Sequence, residues 1–132
     1  MLIIQLWRQT MQDLVKALKA LSDETRLRIL NILLERECCV CEVMQALDIS
    51  QSRASRNLGI LEEAGFLKSR RDSLWSLYSI DREGAKVYLA MMVKAIAEAL
   101  EHNTLAALDR ERLKRAERVG PSCILRMREE KE

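Results

Sequence analysis

Chain breakers are scarce in this sequence: its 132 residues include one proline and four glycines, so a mostly helical protein is the default expectation. Charge of one sign is lacking too. Although 32% of the residues are charged, the net charge is only +2, so any case for nucleic acid must come from how the charges are distributed. Long hydrophobic runs are absent. The opening "MLIIQL" is too short for a membrane span or a signal-peptide core, and Arg8 and Asp13 follow soon after, which predicts a cytoplasmic protein. The constellations of an enzyme are missing as well: there is no Gly-rich phosphate loop, no Cys-x-x-Cys beside a strand-helix unit, and no Ser/His or paired-carboxylate arrangement. A non-enzymatic protein is the expectation.

What is there begins with enough apolar material, 48% of the residues, for one domain with a real core. That domain is expected over residues 1–119, with Gly120-Pro121 ending the last helix and releasing a tail over 120–132. An amphipathic stretch from about Leu6 to Leu21 reads as a first helix. Ser22 and Asp23 then offer capping oxygens to a second, "DETRLRILNILLERE", whose Leu27, Leu30 and Leu34 fall at i, i+3, i+7. A short third helix is expected from Val40 to Leu47, and "DIS" leads to a fourth, "QSRASRNLGILEEAGF", capped by Ser50. On it Ala54, Leu58, Leu61 and Gly65 form one buried stripe, which leaves Ser52, Arg56, Gly59 and Glu63 pointing outward.

After Gly65 the period changes to two. "FLKSRR" and "LWSLYSI" flank an Asp72-Ser73 turn and predict a small antiparallel hairpin. From Asp81 the helical period returns and runs to about Arg118, with a kink expected at Asn103-Thr104. Between Ala85 and Leu100 this segment is apolar on nearly every side, including Met91 and Met92. A helix buried all round needs more protein than one such chain provides, so a homodimer interface shared with the first helix is expected.

Two short helices, a tight turn, a polar-faced second helix and a basic hairpin make a winged helix-turn-helix: mainly α with a small β-hairpin. Gln51, Ser52, Arg53, Ser55, Arg56 and Asn57 lie in the first two turns of the fourth helix, the turns that enter a major groove, where Arg reads guanine and Asn reads adenine. Asn57 projects nearer the buried edge than the others. Lys68, Arg70 and Arg71 crowd the hairpin, within reach of phosphates or a minor groove. A winged-helix module that binds protein is the competing reading of the same pattern.

Over roughly residues 14 to 80, the run "LKALSDETRLRILNILLERECCVCEVMQALDISQSRASRNLGILEEAGFLKSRRDSLWSLYSI" resembles the ArsR/SmtB family of small metal-responsive repressors. The chain departs from the common pattern at Asn57 and Gly59, where relatives carry "SRHL" followed by a basic residue. The resemblance implies a homodimer, operator DNA binding with no cofactor required, and release of DNA when an inducer binds.

Three of the four cysteines sit together, at Cys38, Cys39 and Cys41, in a charged junction between Glu37 and Glu42 that does not read as core. In a cytosolic protein such clusters are more often metal-binding or reactive than disulfide-bonded. The resemblance makes the Cys39-Val40-Cys41 run the thiolate source of an arsenite-responsive branch, with arsenite or antimonite as inducer. Such soft, three-coordinate ions suit sulfur, and a helix N-terminus favours thiolate. Residues two apart on a regular helix are rotated by about 200°, so Cys39 and Cys41 can grip one ion only where the backbone is not helical. Some relatives carry a further cysteine where Met44 stands. Cys38 is the expected third ligand and Cys123 the other candidate, since a local ligand needs no ordering of a tail. Closing thiolates on an ion is expected to distort the first turn of the third helix beneath the recognition helix. Cadmium or lead on the four cysteines, thiol oxidation of the cluster, and a thiol carrier of arsenic are the alternatives. The one histidine, His102 beside Glu101, gives a poor basis for a zinc site.

Overall fold

The computed structural model describes residues 2–119, with side chains from Met11 onward. Along the chain run α1 (Leu2–Leu21), α2 (Glu24–Leu33), β1 (Cys38–Cys39), α3 (Val40–Leu47), α4 (Gln51–Glu63), β2 (Leu67–Asp72), β3 (Trp75–Ile80), α5 (Val87–Leu100) and α6 (Thr104–Arg115). Side-chain caps set three of the helix starts. Asp23 Oδ2 accepts from Arg26 N at 3.1 Å, Ser50 Oγ from Arg53 N at 3.2 Å, and Asn103 Oδ1 from Ala106 N at 2.9 Å. Each satisfies an amide that the first turn leaves without a helical partner. Between α3 and α4 the chain turns at Asp48, which takes the left-handed conformation (φ 55°), while Ile49 N returns to Met44 O.

The core lies where α2, α3 and α4 meet the hairpin. Ile29, Leu30, Ile32, Val43, Leu47, Leu58, Leu61 and Phe66 are its largest fully buried apolar side chains. Burial of each such side chain contributes about 1.5–3 kcal/mol. Ala54, Leu58 and Leu61 form an inner stripe on α4 as expected, whereas Gly65 lies past the helix end, half-buried and with φ 96°; Ser52, Arg56, Gly59 and Glu63 are exposed on the outer side. The small Ala17 and Ala20 bring α1 against this core.

Four expectations need correction. The continuous last helix is two helices: Asn103 caps α6, and that break replaces the kink. The hairpin turn sits at Ser73-Leu74, because Asp72 pairs with Trp75; Ser73 takes the positive φ (57°). A third strand precedes α3. β1 pairs antiparallel with β3, Cys38 opposite Tyr78 and Cys39 opposite Leu77, giving the sheet order β1-β3-β2. Finally, Leu27 and Leu34 of the second helix are half-buried, and Ile32 goes inside beside Ile29, Leu30 and Leu33.

Polar bonds fix α6. Arg28 holds the fully buried Asp109 through Nε at 2.8 Å and Nη2 at 2.9 Å, and the same guanidinium reaches Leu47 O. Asn31 Nδ2 donates to Ala106 O at 3.0 Å, and Arg110 donates to Asn31 Oδ1. By contrast α5 buries only Leu89 and Val93. No helix among the described residues is long and apolar enough to cross a membrane.

Candidate nucleic-acid interface and cysteine cluster

The first two turns of α4 present a mixed polar face. Ser52 and Arg56 are exposed, and Arg56 makes no hydrogen bond or ion pair with any described residue. Gln51 donates to Ser55 Oγ at 3.1 Å, which holds both side chains along the helix surface. Arg53 is exposed but bonded: its Nη2 donates to the buried Thr25 hydroxyl at 2.7 Å. Asn57 does not belong to this face. It is buried, accepts from Arg26 Nη1 at 3.0 Å and donates to Arg53 O at 2.9 Å. With its amide oxygen and nitrogen both committed inside, it has no edge to offer a base, and its role is to lock α2 to α4.

The wing adds three cations, of unequal availability. Lys68 and Arg71 are exposed. Arg70 is held by Glu37 in a two-pronged pair, Nε–Oε2 at 2.9 Å and Nη2–Oε1 at 2.8 Å. That guanidinium keeps the Glu37 carboxyl below its ordinary range. The wing is also tied to α4, through a hydrogen bond from Ser69 Oγ to Glu62.

The cysteines are not in a charged junction. Cys38, Cys39 and Cys41 are 0%, 2% and 6% exposed, because β1 lies against β3 and Glu42 itself folds inward. Strand alternation separates them. Cys38 faces the main core, whereas Cys39 joins Cys41, Leu77, Trp75 and Val119 in a second, smaller cluster. The backbone explains how Cys39 and Cys41 come to one side. Cys39 is extended (φ −84°, ψ 169°) and the helix begins only at Val40, so the helical rotation does not separate them. Burial reverses the expected ease of ionisation. It pushes the Cys38 thiol up to about 12 and also raises that of Cys39, outweighing any pull from the helix N-terminus. Cys38 and Cys39 are free cysteines, and Cys41 is disulfide-bonded. Cys123 lies outside the described residues.

Around the cluster are residues that sequence reasoning missed. Glu42, 2% exposed, accepts from Cys39 N at 2.9 Å, pairs with Arg36, and takes Arg118 Nε at 3.1 Å. Burial works to raise its pKa, but the Cys39 amide and the two guanidiniums outweigh that and hold the carboxyl below its ordinary value. Gln45 Nε2 lies 3.2 Å from Cys41 Sγ and donates to Glu117 O at 2.8 Å, while Gln45 Oε1 accepts from Glu117 N at 3.0 Å. Trp75 Nε1 donates to Val119 O at 2.9 Å. Residues 116–119 are thereby strapped across the cysteine cluster. The one available signal was the acidic residue three positions after Cys39, the spacing of a capping box. Nothing local points to Gln45, Trp75 or Arg118. His102 is exposed in the turn after α5, and among the described residues no trio of His, Cys, Asp or Glu side chains is arranged to hold an ion.

Comparison with known proteins agrees with this geometry. The model of the bacterial regulatory protein arsR family matches residues 23–69, which run from the cap of α2 into β2. The chain belongs to the ArsR family. Among its curated ArsR-type relatives is a cadmium resistance transcriptional regulatory protein CadC homolog of Staphylococcus aureus, 40% identical over 80 residues, covering 60% of this chain and 66% of that one. Another is the arsenical resistance operon repressor of Escherichia coli, 43% identical over 67 residues, covering 50% and 57%. The chain thus spans somewhat under two thirds of the length of these relatives. Among solved structures, the homodimeric winged helix-turn-helix domain of a possible ArsR-family regulator from Mycobacterium bovis superposes with a TM-score of 0.61 at 24% identity, covering 74% of this chain and 86% of that one. That likeness establishes the winged-helix fold. The family consists of transcriptional regulators, not enzymes.

Proposed function

We propose that this chain is a metalloid-responsive transcriptional repressor. It binds operator DNA as a dimer and releases it when arsenite or antimonite is captured by the sulfurs of Cys39 and Cys41. One observation supports the reading: those two residues share a cluster with Leu77 and Trp75 of the hairpin, so the sulfurs touch the element that this reading sets beside DNA. The names of the relatives, an arsenical resistance repressor and a cadmium resistance regulator, support the class of inducer.

In the DNA-bound form, Ser52, Arg56 and Arg53 face base edges and phosphates of a major groove, and Lys68 and Arg71 reach the backbone beside it. Arg70 contributes only after leaving Glu37. The dimer forms through α1 and α5, where Met11, Val15, Leu18, Val87 and Met91 are exposed and where Lys86 of the α5 cap pairs with Asp13 of α1 at 3.3 Å. Because Cys41 is disulfide-bonded in this structure, capture of an ion through its sulfur requires the reduced protein. An ion that draws the two sulfurs together pulls β1 against β3 and shifts the wing. A coupling of about 1–3 kcal/mol is enough for release. The same sulfurs also suit cadmium or lead, and the Cys41 disulfide favours thiol oxidation as the second inducing signal.

The test is an operator-binding titration of reduced protein with arsenite, antimonite, cadmium, lead and zinc. Replacing Cys39 and Cys41 by Ser is expected to leave DNA binding intact and abolish release by arsenite. Arg56→Glu is expected to abolish DNA binding while arsenite uptake persists. Release of DNA by arsenite from the double Ser variant would refute the assignment.

A further inference from the structure

The two faces of the hairpin carry different cations. Side chains alternate along β2, so Lys68 and Arg70 stand on one face and Ser69 and Arg71 on the other. The Ser69 face is tied to α4 through Glu62. The opposite face carries a row across the whole sheet, in which Cys39 of β1 is paired with Leu77 of β3, and Leu77 with Arg70 of β2. Arg70 does not stay on its own strand. Its guanidinium passes over β3 to Glu37, the residue that leads into β1, and grips that carboxylate with two prongs of 2.9 and 2.8 Å. Lys68 and Arg118 are near enough to act on the same carboxylate. The ion pair therefore joins the two outer strands across the middle one. Stability gives little reason for it, because Arg70 is exposed and Glu37 only partly covered, and pairs of that kind contribute little. Its geometry says more. The fork in which a guanidinium holds a carboxylate is the one in which it holds a phosphate. Lys68 and Arg70 thus make an anion site on the wing that the chain fills with its own carboxylate.

We infer that Glu37 stands in for a DNA phosphate: it occupies the Arg70 fork in the free protein and gives way to the duplex backbone when the wing docks. This rests on the proposed DNA binding and names the residue that limits its strength. Only hydrogen bonds and ion pairs are exchanged. The guanidinium trades one oxyanion for another, and the displaced carboxylate returns to water. Because both partners already touch solvent, the exchange needs no opening of the core. The competitor also has a telling position. It is carried by the residue directly before β1, the strand that ends in Cys39, so the anion that holds Arg70 back is mounted beside the sulfurs.

The experiment is a double-mutant cycle on the full, reduced chain: wild type, Glu37→Gln, Arg70→Ala and the two combined. Binding to a labelled mixed-sequence DNA duplex is read by fluorescence anisotropy over a range of salt, since phosphate contacts are independent of sequence. Glu37→Gln is expected to bind about two- to fivefold more tightly, the size of one exposed ion pair no longer broken on docking. In the Arg70→Ala background the same substitution is expected to gain distinctly less, because no fork is left to free. Arg70→Ala is expected to make the fall of log affinity with log salt shallower by about 0.9, one phosphate contact. An equal gain in both backgrounds overturns the inference, since Glu37 is then only a charge that repels DNA. So does a Glu37→Gln variant no tighter than wild type, or a salt slope that Arg70→Ala leaves unchanged. A wild type that binds no duplex at any salt overturns the DNA-binding reading itself and this inference with it, which tells the two failures apart.

Discussion

Glu42→Gln is the substitution that most sharply tests how the cysteine turn is built. The carboxylate has a side-chain exposure of 3% and faces three donors, the Cys39 amide, Arg36 and Arg118. A hydrogen bond to a charged group is worth about 1.5–3 kcal/mol against about 0.5–1.5 for a neutral one, so removing the charge costs about 1 kcal/mol at each guanidinium. That figure is trimmed because Arg36 and Arg118 are 37% and 31% exposed. The new amide nitrogen must also face one of those donors, which leaves about 1–3 kcal/mol of unmet hydrogen bonding. The sum is about 2–4 kcal/mol, measured by urea denaturation at neutral pH with protomer concentration fixed, since dimerisation shifts apparent stability. The sign with pH follows from the carboxyl being held below its ordinary value. Its contribution is fully present above the ordinary carboxylate range and disappears as pH falls through the lowered value. The gap between wild type and variant therefore closes in acid. A difference below about 0.5 kcal/mol at neutral pH, the level of an ordinary surface substitution, would refute the reasoning. So would a gap that stays constant into acid.

Three further outcomes are expected. Gly59→Ala raises stability by about 0.5–1 kcal/mol in denaturation, because the glycine is inside α4 and an added Cβ meets nothing within 4 Å; operator binding measured alongside reports whether DNA uses that open space. Asn57→Ala lowers stability by about 1–3 kcal/mol by stranding Arg26, whereas Arg56→Ala stays within about 0.5 kcal/mol and loses only DNA binding. Val87→Lys combined with Met91→Lys, both on the exposed side of α5, converts the proposed dimer to monomer in sedimentation velocity and leaves the helical circular dichroism in place.

Much of the frame follows from local rules. Ser50 and Asp23 cap helices as short-range chemistry dictates, and the Ala54-Leu58-Leu61 stripe turns inward because the helical period leaves it no other arrangement. Where neighbours in space are far apart in sequence, local reading fails. Asn57 is polar and sits in the second turn of α4, the position of a base reader, yet Arg26 from α2 draws it inside. Arg70 looks as available as Arg71 until Glu37, 33 residues earlier, is seen to hold it. The apolar pattern of α5 is not matched by burial within one chain, since Val87 and Met91 stay exposed.

The cysteines carry the same lesson furthest. Read as a helix start, Cys39 and Cys41 face opposite ways and Cys38 shares a side with Cys41. Read as a strand end followed by a helix start, Cys39 and Cys41 come together and Cys38 is the one turned away. What decides between the two is two residue pairs with β3, some forty positions downstream, which no local pattern announces. Flanking charge misleads for the same reason. Glu42 marks a solvated junction only if no cations reach it, and two arginines do, one of them, Arg118, 76 positions away. That long-range pairing also links the sulfurs mechanically to the wing, so the pairing that hides the thiols from water is the one through which anything bound to them would be felt at the hairpin.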